Sequence, residues 1–327
     1  MKLSIDEVMG SKRLHRRVTG VAAALLPFEV SGVIAADAFA AHLKHTDSCG
    51  LVNAINMDTG YVNLLSVEEK RTVLGIAREA LGPDVRALAG VYVEGQDGDL
   101  ADLYRREIGV AAGYGFVPVL FQSTRMHAMS GRQKASIYRL ACSDVEEALA
   151  FELSSVFAPN GQIWDDETFT RMLNIPQLSG AKHSSLDRLV ELKRLRVRDA
   201  VRPEFKIYTG NDLGIDMIEY GSDYLLGLAT FCPEAFAARD KAWESGNADY
   251  YSLADALQNL GNIAFRAPVP AYKHSAALFL HAAGKIPTGL THPSSPRRPQ
   301  WEAEIMDACL TRINSVLTMH PISHRDR

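Results

Sequence analysis

The amino-acid sequence predicts an α/β protein built as a closed (β/α)8 (TIM) barrel with a C-terminal helical extension. Eight short, nearly continuous apolar runs alternate with longer segments of helical period, as in a parallel sheet covered by helices. The alternation alone also fits a doubly wound sheet. Two further observations favour the barrel, because no GxGxxG follows the first run and the eighth run is followed by a complete helix.

The predicted strands are rich in Val, Leu, Ala and Phe and show little alternation of polar and apolar residues. Such runs are expected where both faces of a strand are buried, one in the barrel interior and the other against a helix. The eight strands are predicted at residues 21–26, 50–56, 85–92, 115–121, 147–154, 177–183, 205–210 and 223–229.

Start and stop signals bound several of the intervening helices. Ser66 and Glu69 form a capping box at the start of one helix, and Gly82 and Gly221 are predicted to end two others. Ser185 is predicted to begin the helix after the sixth strand. The apolar stripe of that helix would contain Leu186, Leu189, Leu192 and Leu195.

The C-terminal part of the chain reads as helices without further strands. A helix at residues 233–246 completes the eighth unit, and a Pro-rich connector and a loose tail are predicted at residues 292–300 and 320–327. We therefore divide the chain into an N-terminal extension (1–18), a barrel (19–246) and a C-terminal helical region (247–327). The helices of that region are predicted at residues 250–264, 272–284 and 301–317.

Composition excludes several classes of function. The chain has 327 residues, 47% of them hydrophobic, and a net charge of −4, so it lacks the basic surplus of a nucleic-acid-binding protein. The basic run at residues 193–199 is interpreted as a solvent-exposed helix face. Four cysteines without a CxxC pair argue against a zinc ribbon or a disulfide framework. The apolar runs are too short to span a bilayer, and no signal peptide is evident, so we expect a cytoplasmic protein without a membrane partner.

A lysine at the end of the sixth predicted strand is the most informative polar residue. Catalytic groups of a (β/α)8 barrel project from the carboxyl ends of its strands, and Lys182 lies at such an end, after the residues LSGA. Burial would lower the pKa of this lysine and leave a neutral amine that can attack a carbonyl group and form a Schiff base. The alternative is a lysine that extends to the rim or pairs with a carboxylate.

Several segments resemble, in chain order, motifs of the dihydrodipicolinate synthase/N-acetylneuraminate lyase superfamily of Schiff-base (class I) aldolases. GAKHSSLD, centred on Lys182, is similar to the strand-six lysine motif of that superfamily. The similarity covers roughly residues 19–284, and we interpret the chain as a divergent member. The other matching segments are residues 19–28, 57–70, 208–212 and 221–234, and residues 268–280 resemble the family's C-terminal helix near the barrel mouth.

The resemblance implies that Lys182 forms an imine with the keto carbon of pyruvate or another 2-keto acid. Thr59, with Asp58 beside it, matches the pair of hydroxyl residues that bind the substrate carboxylate through hydroxyls and backbone N–H groups. Asp58 departs from that pattern, because a carboxylate there would repel the substrate unless it is turned away or protonated.

A second departure concerns the tyrosine with which the family usually ends strand four. Phe121 occupies this position among the predicted substrate-binding residues, and it has no hydroxyl group to relay a proton. Either Tyr92, Tyr208 or His183 supplies the proton, or the protein has lost the family's usual chemistry. Tyr92 and Tyr208 join Lys182 as predicted catalytic residues, whereas His183 would point behind the barrel wall in a regular strand.

The end of strand seven supplies the remaining predicted contacts. Gly210 and Asp212 are predicted to bind substrate, although Asn211 and Asp212 could instead cap the next helix. Lys273 and His274 are candidates for contacts at the rim of the barrel mouth.

We therefore predict a carbon–carbon or carbon–oxygen lyase, an aldolase-like lyase or dehydratase acting on pyruvate or a 2-keto acid. It would need no organic cofactor and no metal ion, since the strand ends offer no clear cluster of histidines and carboxylates for a metal-dependent aldolase. The alternative is a non-catalytic keto-acid-binding or regulatory member of the same fold. The resemblance also implies a homo-oligomer, either a tetramer or a dimer.

Overall fold

Eight parallel strands form a closed barrel in the computed structural model, which describes residues 4–319 and, at residue 5, the backbone alone. The strands pair in chain order, and pairing of the first strand with the eighth closes the barrel. All eight predicted strands are present, so the predicted fold class is confirmed. They are β1 (Gly20–Ala23), β2 (Val52–Ile55), β3 (Leu88–Val91), β4 (Val117–Leu120), β5 (Ala148–Leu153), β6 (Leu178–Ser184), β7 (Lys206–Thr209) and β8 (Asp223–Leu226).

Helices follow the strands and cover the outside of the barrel. The seventh unit departs from the pattern, because a 3-10 helix (Ile215–Tyr220) takes the place of an α-helix after β7. The α-helices are α1 (Ile5–Met9), α2 (Ala36–Ser48), α3 (Val67–Leu81), α4 (Leu100–Gly113), α5 (Gly131–Ala141), α6 (Asp166–Leu173), α7 (Arg188–Val201), α8 (Pro233–Ser245), α9 (Asp249–Ala264), α10 (Tyr272–Ala282) and α11 (Glu302–Met319).

The end signals in the sequence predict most helix boundaries correctly. The Ser66 hydroxyl accepts from the N–H of Glu69 (3.1 Å), and the Glu69 carboxylate accepts from the N–H of Ser66 (2.7 Å), as the capping box requires. The start predicted at Ser185 is wrong. The Asp187 carboxylate caps α7 by accepting from the N–H groups of the next turn, while Ser185 forms a turn with Asp187.

The predicted leucine stripe of α7 is half wrong. Leu192 and Leu195 are buried, but Leu189 on the helix and Leu186 before it are 57% and 48% exposed. A step of three residues turns the helix by about 300°, so four residues at this spacing spread over about half of the circumference. Only part of such a set can face the barrel.

The basic run of α7 is not the solvent-exposed face that the sequence predicts. Arg194 is buried and pairs with Glu152 of β5 (2.8 Å), which also bonds His183 Nδ1 (2.7 Å). Burial raises the pKa of Glu152, but His183 and Arg194 outweigh it and lower the pKa to about 2. His183 therefore lies behind the barrel wall, as predicted for a regular strand.

The C-terminal helices continue from the last helix of the barrel. Helix α9 packs against α8, and α11 packs against both α9 and α10. The tail predicted at residues 320–327 lies outside the described residues, and the division of the chain at residues 18 and 246 stays a proposal. Within the described residues, no helix combines the length and the apolar character needed to cross a bilayer.

Candidate active site

A cavity of about 270 Å³ opens at the carboxyl ends of the strands, where a (β/α)8 barrel carries its functional groups. Loops after β2, β7 and β8 line it together with residues of β5 and β6, and the C-terminal region closes one side through Phe265, Tyr272 and Lys273. Among the predicted site residues, the cavity brings together Lys182, Asp58, Thr59, Tyr92, Phe121, Gly210 and Asp212.

Lys182 projects from β6 into this cavity. Its Cα pairs in register with Phe151 of β5 and Tyr208 of β7, and its side chain is 8% exposed. The ammonium lies 4.4 Å from the centre of the Phe151 ring. Within residues 4–319 it forms no hydrogen bond and no ion pair that meets ordinary distance limits.

The environment of Lys182 favours the neutral amine. Burial lowers its pKa from 10.5 to about 8, and the charges of Asp212 and Asp58 oppose that shift without cancelling it. Asp212 responds in the opposite direction, because burial raises the pKa of its carboxyl group to about 7. The cavity therefore holds an amine and a carboxyl group that both titrate near neutral pH.

Gly210 provides the space through which the Lys182 side chain passes. A Cβ atom at residue 210 would lie 2.6 Å from Cε of Lys182, which is closer than carbon atoms approach in proteins. The same Cβ atom would lie 2.1 Å from Oγ of Ser184, so the absence of a side chain at this position makes room for both Lys182 and Ser184.

Asp58 faces the C-terminal region rather than the centre of the cavity. It lies in a 3-10 turn (Asp58–Gly60) after β2, and its carboxylate accepts from Lys273 Nζ (3.0 and 3.1 Å) and from the Tyr272 hydroxyl (2.9 Å). Desolvation raises the pKa of Asp58. The combined effect of Lys273, Tyr272 and Lys182 is opposite and larger, so the pKa of Asp58 lies below its ordinary value. Of the two possibilities left by the sequence, Asp58 is therefore turned away and ionised, not protonated.

Tyr272 joins Asp58 to Thr59. Its hydroxyl donates to Asp58, so the bond between Tyr272 Oη and Thr59 Oγ1 (2.9 Å) is donated by the threonine. Burial and the charge of Asp58 raise the pKa of Tyr272 well above its ordinary value, so the phenol stays protonated. The oxygen of the Thr59 hydroxyl can therefore accept a hydrogen bond from a group in the cavity.

Aromatic side chains form the opposite wall. Tyr92 packs edge-to-face on Phe121 (5.7 Å between ring centres), and Phe121 packs edge-to-face on Phe151 (4.9 Å). Burial, followed by the charges of Glu94 and Asp58, raises the pKa of Tyr92. Phe121 thus lies in the cavity wall, as predicted, and contributes apolar surface.

Tyr208 is not among the residues that line this cavity. Its side chain lies in the barrel interior, near Asp223 and near Arg86 and Glu147, which precede β3 and β5. These neighbours belong to the amino ends of the strands. The prediction of Tyr208 as a catalytic residue is corrected for this reason, because its hydroxyl points away from the barrel mouth.

The turn after β7 does not cap a helix. Asn211 Oδ1 accepts from the N–H of Leu213, and Asp212 Oδ1 accepts from the N–H of Leu228, after β8. The 3-10 helix that follows begins at Gly214 without a side-chain cap. The capping alternative for Asn211 and Asp212 is therefore wrong, and Asp212 instead ties the ends of β7 and β8 together beside Lys182.

Tyr272 is the residue that sequence reasoning did not identify. It stands next to Lys273, for which the sequence predicts only a contact at the rim, at the start of the apolar helix α10. A polar pair at the start of an otherwise apolar helix is the available signal. Its contacts with Asp58 and Thr59, more than two hundred residues earlier in the chain, depend on the tertiary fold.

The fold and the buried lysine at the mouth define a (β/α)8 barrel with a candidate amine site. No protein-family model and no curated protein sequence matches the chain. Solved structures do match it. The dihydrodipicolinate synthase from Acinetobacter baumannii, solved with pyruvate, is 17% identical, with a TM-score of 0.75 over 91% of this chain and 99% of that one.

Structures of two other proteins show the same similarity. The sialic acid aldolase of Ruminococcus gnavus is 15% identical (TM-score 0.78, 93% of this chain, 100% of that one), and a variant of its catalytic lysine matches equally well. The 4-hydroxy-tetrahydrodipicolinate synthase of Methylacidiphilum fumariolicum SolV is 17% identical (TM-score 0.76, 93% and 98%). The chain has the fold of the dihydrodipicolinate synthase/N-acetylneuraminate lyase superfamily, as its motifs predicted.

Proposed function

We propose that the protein is a Schiff-base-forming lyase or dehydratase of this superfamily, acting on pyruvate or another 2-keto acid. The observation that carries the proposal is Lys182, a buried amine without an ion pair within residues 4–319, whose pKa is lowered to about 8. At pH 7, a pKa of about 8 leaves roughly one lysine in ten neutral. An ordinary lysine would have fewer than about one in a thousand.

The neutral amine of Lys182 attacks the keto carbon of the substrate. A C–N bond forms, the carbonyl oxygen leaves as water with the two amine protons, and one further proton, supplied by Asp212 or by water, gives the protonated imine. This cation accepts the electron pair of an adjacent C–C or C–H bond, which yields an enamine. Reprotonation, attack on an aldehyde or loss of a hydroxyl group then gives cleavage, synthesis or dehydration. Water hydrolyses the resulting imine, which breaks the C–N bond, releases the keto product and restores the amine of Lys182.

The substrate carboxylate is proposed to bind at the turn after β2. Within the described residues, the backbone N–H groups of Asp58 and Thr59 have no hydrogen-bond partner, and the Thr59 hydroxyl lines the cavity beside them. Lys273 neutralises Asp58, so the negative charge at this turn does not repel a second carboxylate. The ion pair between Lys273 and Asp58 therefore supports binding of the pyruvate carboxylate at this turn, although the sequence predicts repulsion by Asp58.

Tyr272 is proposed to replace the missing tyrosine of strand four. Protons move to and from the substrate through the Thr59 hydroxyl, which is held by the Tyr272 phenol (2.9 Å). Tyr92 lines the cavity too, but within the part of the chain that the structure describes it forms no hydrogen bond to Asp58 or Thr59, whereas Tyr272 contacts both. Asp212, with a pKa of about 7, is proposed to exchange a proton with the imine nitrogen or the departing water.

The part of the substrate beyond the 2-keto acid group is proposed to be apolar and uncharged. No arginine lines the cavity within residues 4–319, Lys182 is consumed by the imine, and Lys273 is occupied by Asp58. No cation is left to pair with a second carboxylate. The surface facing that part is formed by apolar and aromatic side chains, among them Phe121, Phe151, Phe157, Phe265, Val269 and Pro270.

The solved structures support the chemistry. The A. baumannii enzyme was solved with pyruvate, and the R. gnavus aldolase has a catalytic lysine. A homo-oligomeric state and a cytoplasmic location stay predictions.

Borohydride reduction tests the proposal. Pyruvate and a panel of 2-keto acids are incubated with the protein, borohydride is added, and the intact mass is measured. We expect one stable adduct per chain in the wild type and in Lys44→Arg, an exposed control on α2, and none in Lys182→Arg. An equal adduct in Lys182→Arg contradicts the proposed role of this lysine.

A non-catalytic keto-acid-binding protein is the second candidate, and Phe121 favours it. Exchange of the pyruvate methyl protons with deuterated water separates the two, because it requires the enamine but no second substrate. A trapped adduct without exchange favours the binding protein, and exchange above the Lys182→Arg background favours the enzyme.

A further inference from the structure

We propose that His45, Cys49 and Glu234 bind a thiophilic divalent cation of the Zn²⁺ class on the outer surface of the barrel. The three residues lie away from the cavity, on helices α2 and α8. One ligand atom from each lies within 4.8 Å of the others.

The first two ligands share one face of a helix. His45 lies in the last turn of α2 and Cys49 is its C-cap residue, four positions later, which places both side chains on the same side. Glu234 comes from the first turn of α8. His45 Nε2 lies 3.1 Å from Glu234 Oε2 and 4.0 Å from Cys49 Sγ.

These separations suit a tetrahedral ion. Zn²⁺ with bonds of about 2.0–2.3 Å holds neighbouring ligand atoms about 3.3–3.8 Å apart. The two distances from His45 bracket this range and the third pair lies within 4.8 Å, so shifts of up to about an ångström complete the site. Imidazole, thiolate and carboxylate are the ligand types that Zn²⁺ takes in proteins, whereas a thiolate does not suit Mg²⁺ or Ca²⁺.

The fourth position is open to solvent. His45 and Glu234 side chains are 30% and 35% exposed, so an ion can enter and keep a water molecule. His42, one turn earlier on α2, is 3% exposed and lines a crevice together with His45 and Glu234. Its Nε2 hydrogen-bonds Thr230 Oγ1 (2.7 Å), and its Nδ1 has no hydrogen-bond partner within the described residues, so this nitrogen is left for an outer-shell contact with a metal-bound water.

The position of the site suggests what the ion does. Helix α2 follows β1 and α8 follows β8, so the ligands join the two helices that flank the closure of the barrel. A bound ion stabilises this seam through the folded state alone. It has no part in the reaction proposed for Lys182.

Cobalt and zinc test the site on the full chain. We expect one equivalent of Co²⁺ to give visible bands of tetrahedral intensity and a near-ultraviolet thiolate band, both displaced by Zn²⁺. Cys49→Ser should abolish the thiolate band, and His45→Gln and Glu234→Gln should each weaken Zn²⁺ binding tenfold or more. Cys142→Ala, a buried thiol on α5's C-terminal side, is the control and should bind as the wild type does.

Thermal unfolding checks folding and function separately. Zn²⁺ should raise the melting temperature of the wild type and of Cys142→Ala, but not that of Cys49→Ser. Pyruvate trapping should be unchanged in all ligand variants, so failure of the metal site and failure of the amine site are distinguishable. Zn²⁺ binding that is absent, or that is equal in the wild type and Cys49→Ser, overturns the proposal and leaves a His–Glu ion pair.

Discussion

Gly210 lies directly against Lys182, so that a Cβ atom at residue 210 would approach Cε of the lysine to 2.6 Å. Lys182 belongs to β6 and Gly210 directly follows the neighbouring strand β7, and the lysine side chain occupies the space that the glycine leaves empty. The position of the amine in the cavity therefore depends on a residue that has no functional group.

Gly210→Ala should displace Lys182 and reduce pyruvate trapping at least tenfold. The added methyl group overpacks a closed site, which costs about 1–3 kcal/mol of unfolding free energy. Gly109→Ala on α4 is the matched control, because a Cβ there meets nothing within 4 Å. Trapping rates and urea midpoints check both variants, and normal trapping by Gly210→Ala would show that the lysine does not need this space.

Lys182→Met should stabilise the protein at pH 7. Burial disfavours the ammonium, so the folded-state pKa is about 8 against 10.5 in the unfolded chain. This shift corresponds to about 3 kcal/mol of unfolding free energy at pH 7. Between pH 8 and 10.5 the unfolded wild-type chain binds more protons at Lys182 than the folded protein does. The free energy of unfolding of the wild type therefore rises with pH in this range, and the stability advantage of Lys182→Met shrinks.

Urea unfolding at pH 7 and pH 9.5 measures that advantage. Lys44→Met, at an exposed position of α2, is the control and should show little change at either pH. A destabilised Lys182→Met protein at pH 7 would argue for a charged, well-solvated lysine instead.

Asp212→Asn should move the pH dependence of imine formation downwards. The charge of Asp212 raises the pKa of Lys182, so removing that charge lets the amine lose its proton at lower pH. In the wild type the initial trapping rate should rise with pH around a midpoint near 8. Rapid quenching with borohydride across pH 6–9 gives the midpoints, with exposed Asp37→Asn as the control, and an upward shift contradicts the expected sign.

Tyr272→Phe should keep the imine but lose proton transfer. The variant removes the hydroxyl that joins Thr59 to Asp58, while its ring still stacks on Phe265 (4.3 Å between ring centres). We expect exchange of pyruvate methyl protons to fall about 100-fold. Tyr92→Phe is the comparison and should change the rate by less than about threefold, whereas the reverse ranking would assign the relay to Tyr92.

Lys273→Met should weaken pyruvate binding about tenfold. It leaves Asp58 without its ion pair, next to the proposed carboxylate site. Asp58→Thr in the same chain should restore binding, because the repelling charge is then gone. Calorimetric titration of pyruvate gives the affinities, and a double variant as weak as Lys273→Met would place the role of Lys273 elsewhere.

The sequence was sufficient for the fold and for the position of Lys182. Strands buried on both faces produce apolar runs that are visible without a structure, and a lysine at the end of such a run stands out. Strand alternation also placed His183 behind the wall correctly. These features depend on short stretches of chain.

The predictions that were wrong concern residues whose positions depend on contacts with distant parts of the chain. Alternation gives the face of β7 that carries Tyr208, but not whether its hydroxyl points to the mouth or to the amino ends of the strands. Ser185 accepts a hydrogen bond from the N–H of Asp187 in a turn, so α7 begins after Asp187, which caps it, and not after Ser185. Asp58 looked unfavourable because its partners, Tyr272 and Lys273, arrive from α10.

Peptide mapping of the borohydride-reduced pyruvate complex tests the central claim most directly. Tandem mass spectrometry should place a single reduced adduct on Lys182, with Lys273 in the same cavity unmodified because its ammonium is paired with Asp58. An adduct on Lys273 or on exposed lysines, or no adduct at all with any 2-keto acid, would contradict a neutral amine at residue 182.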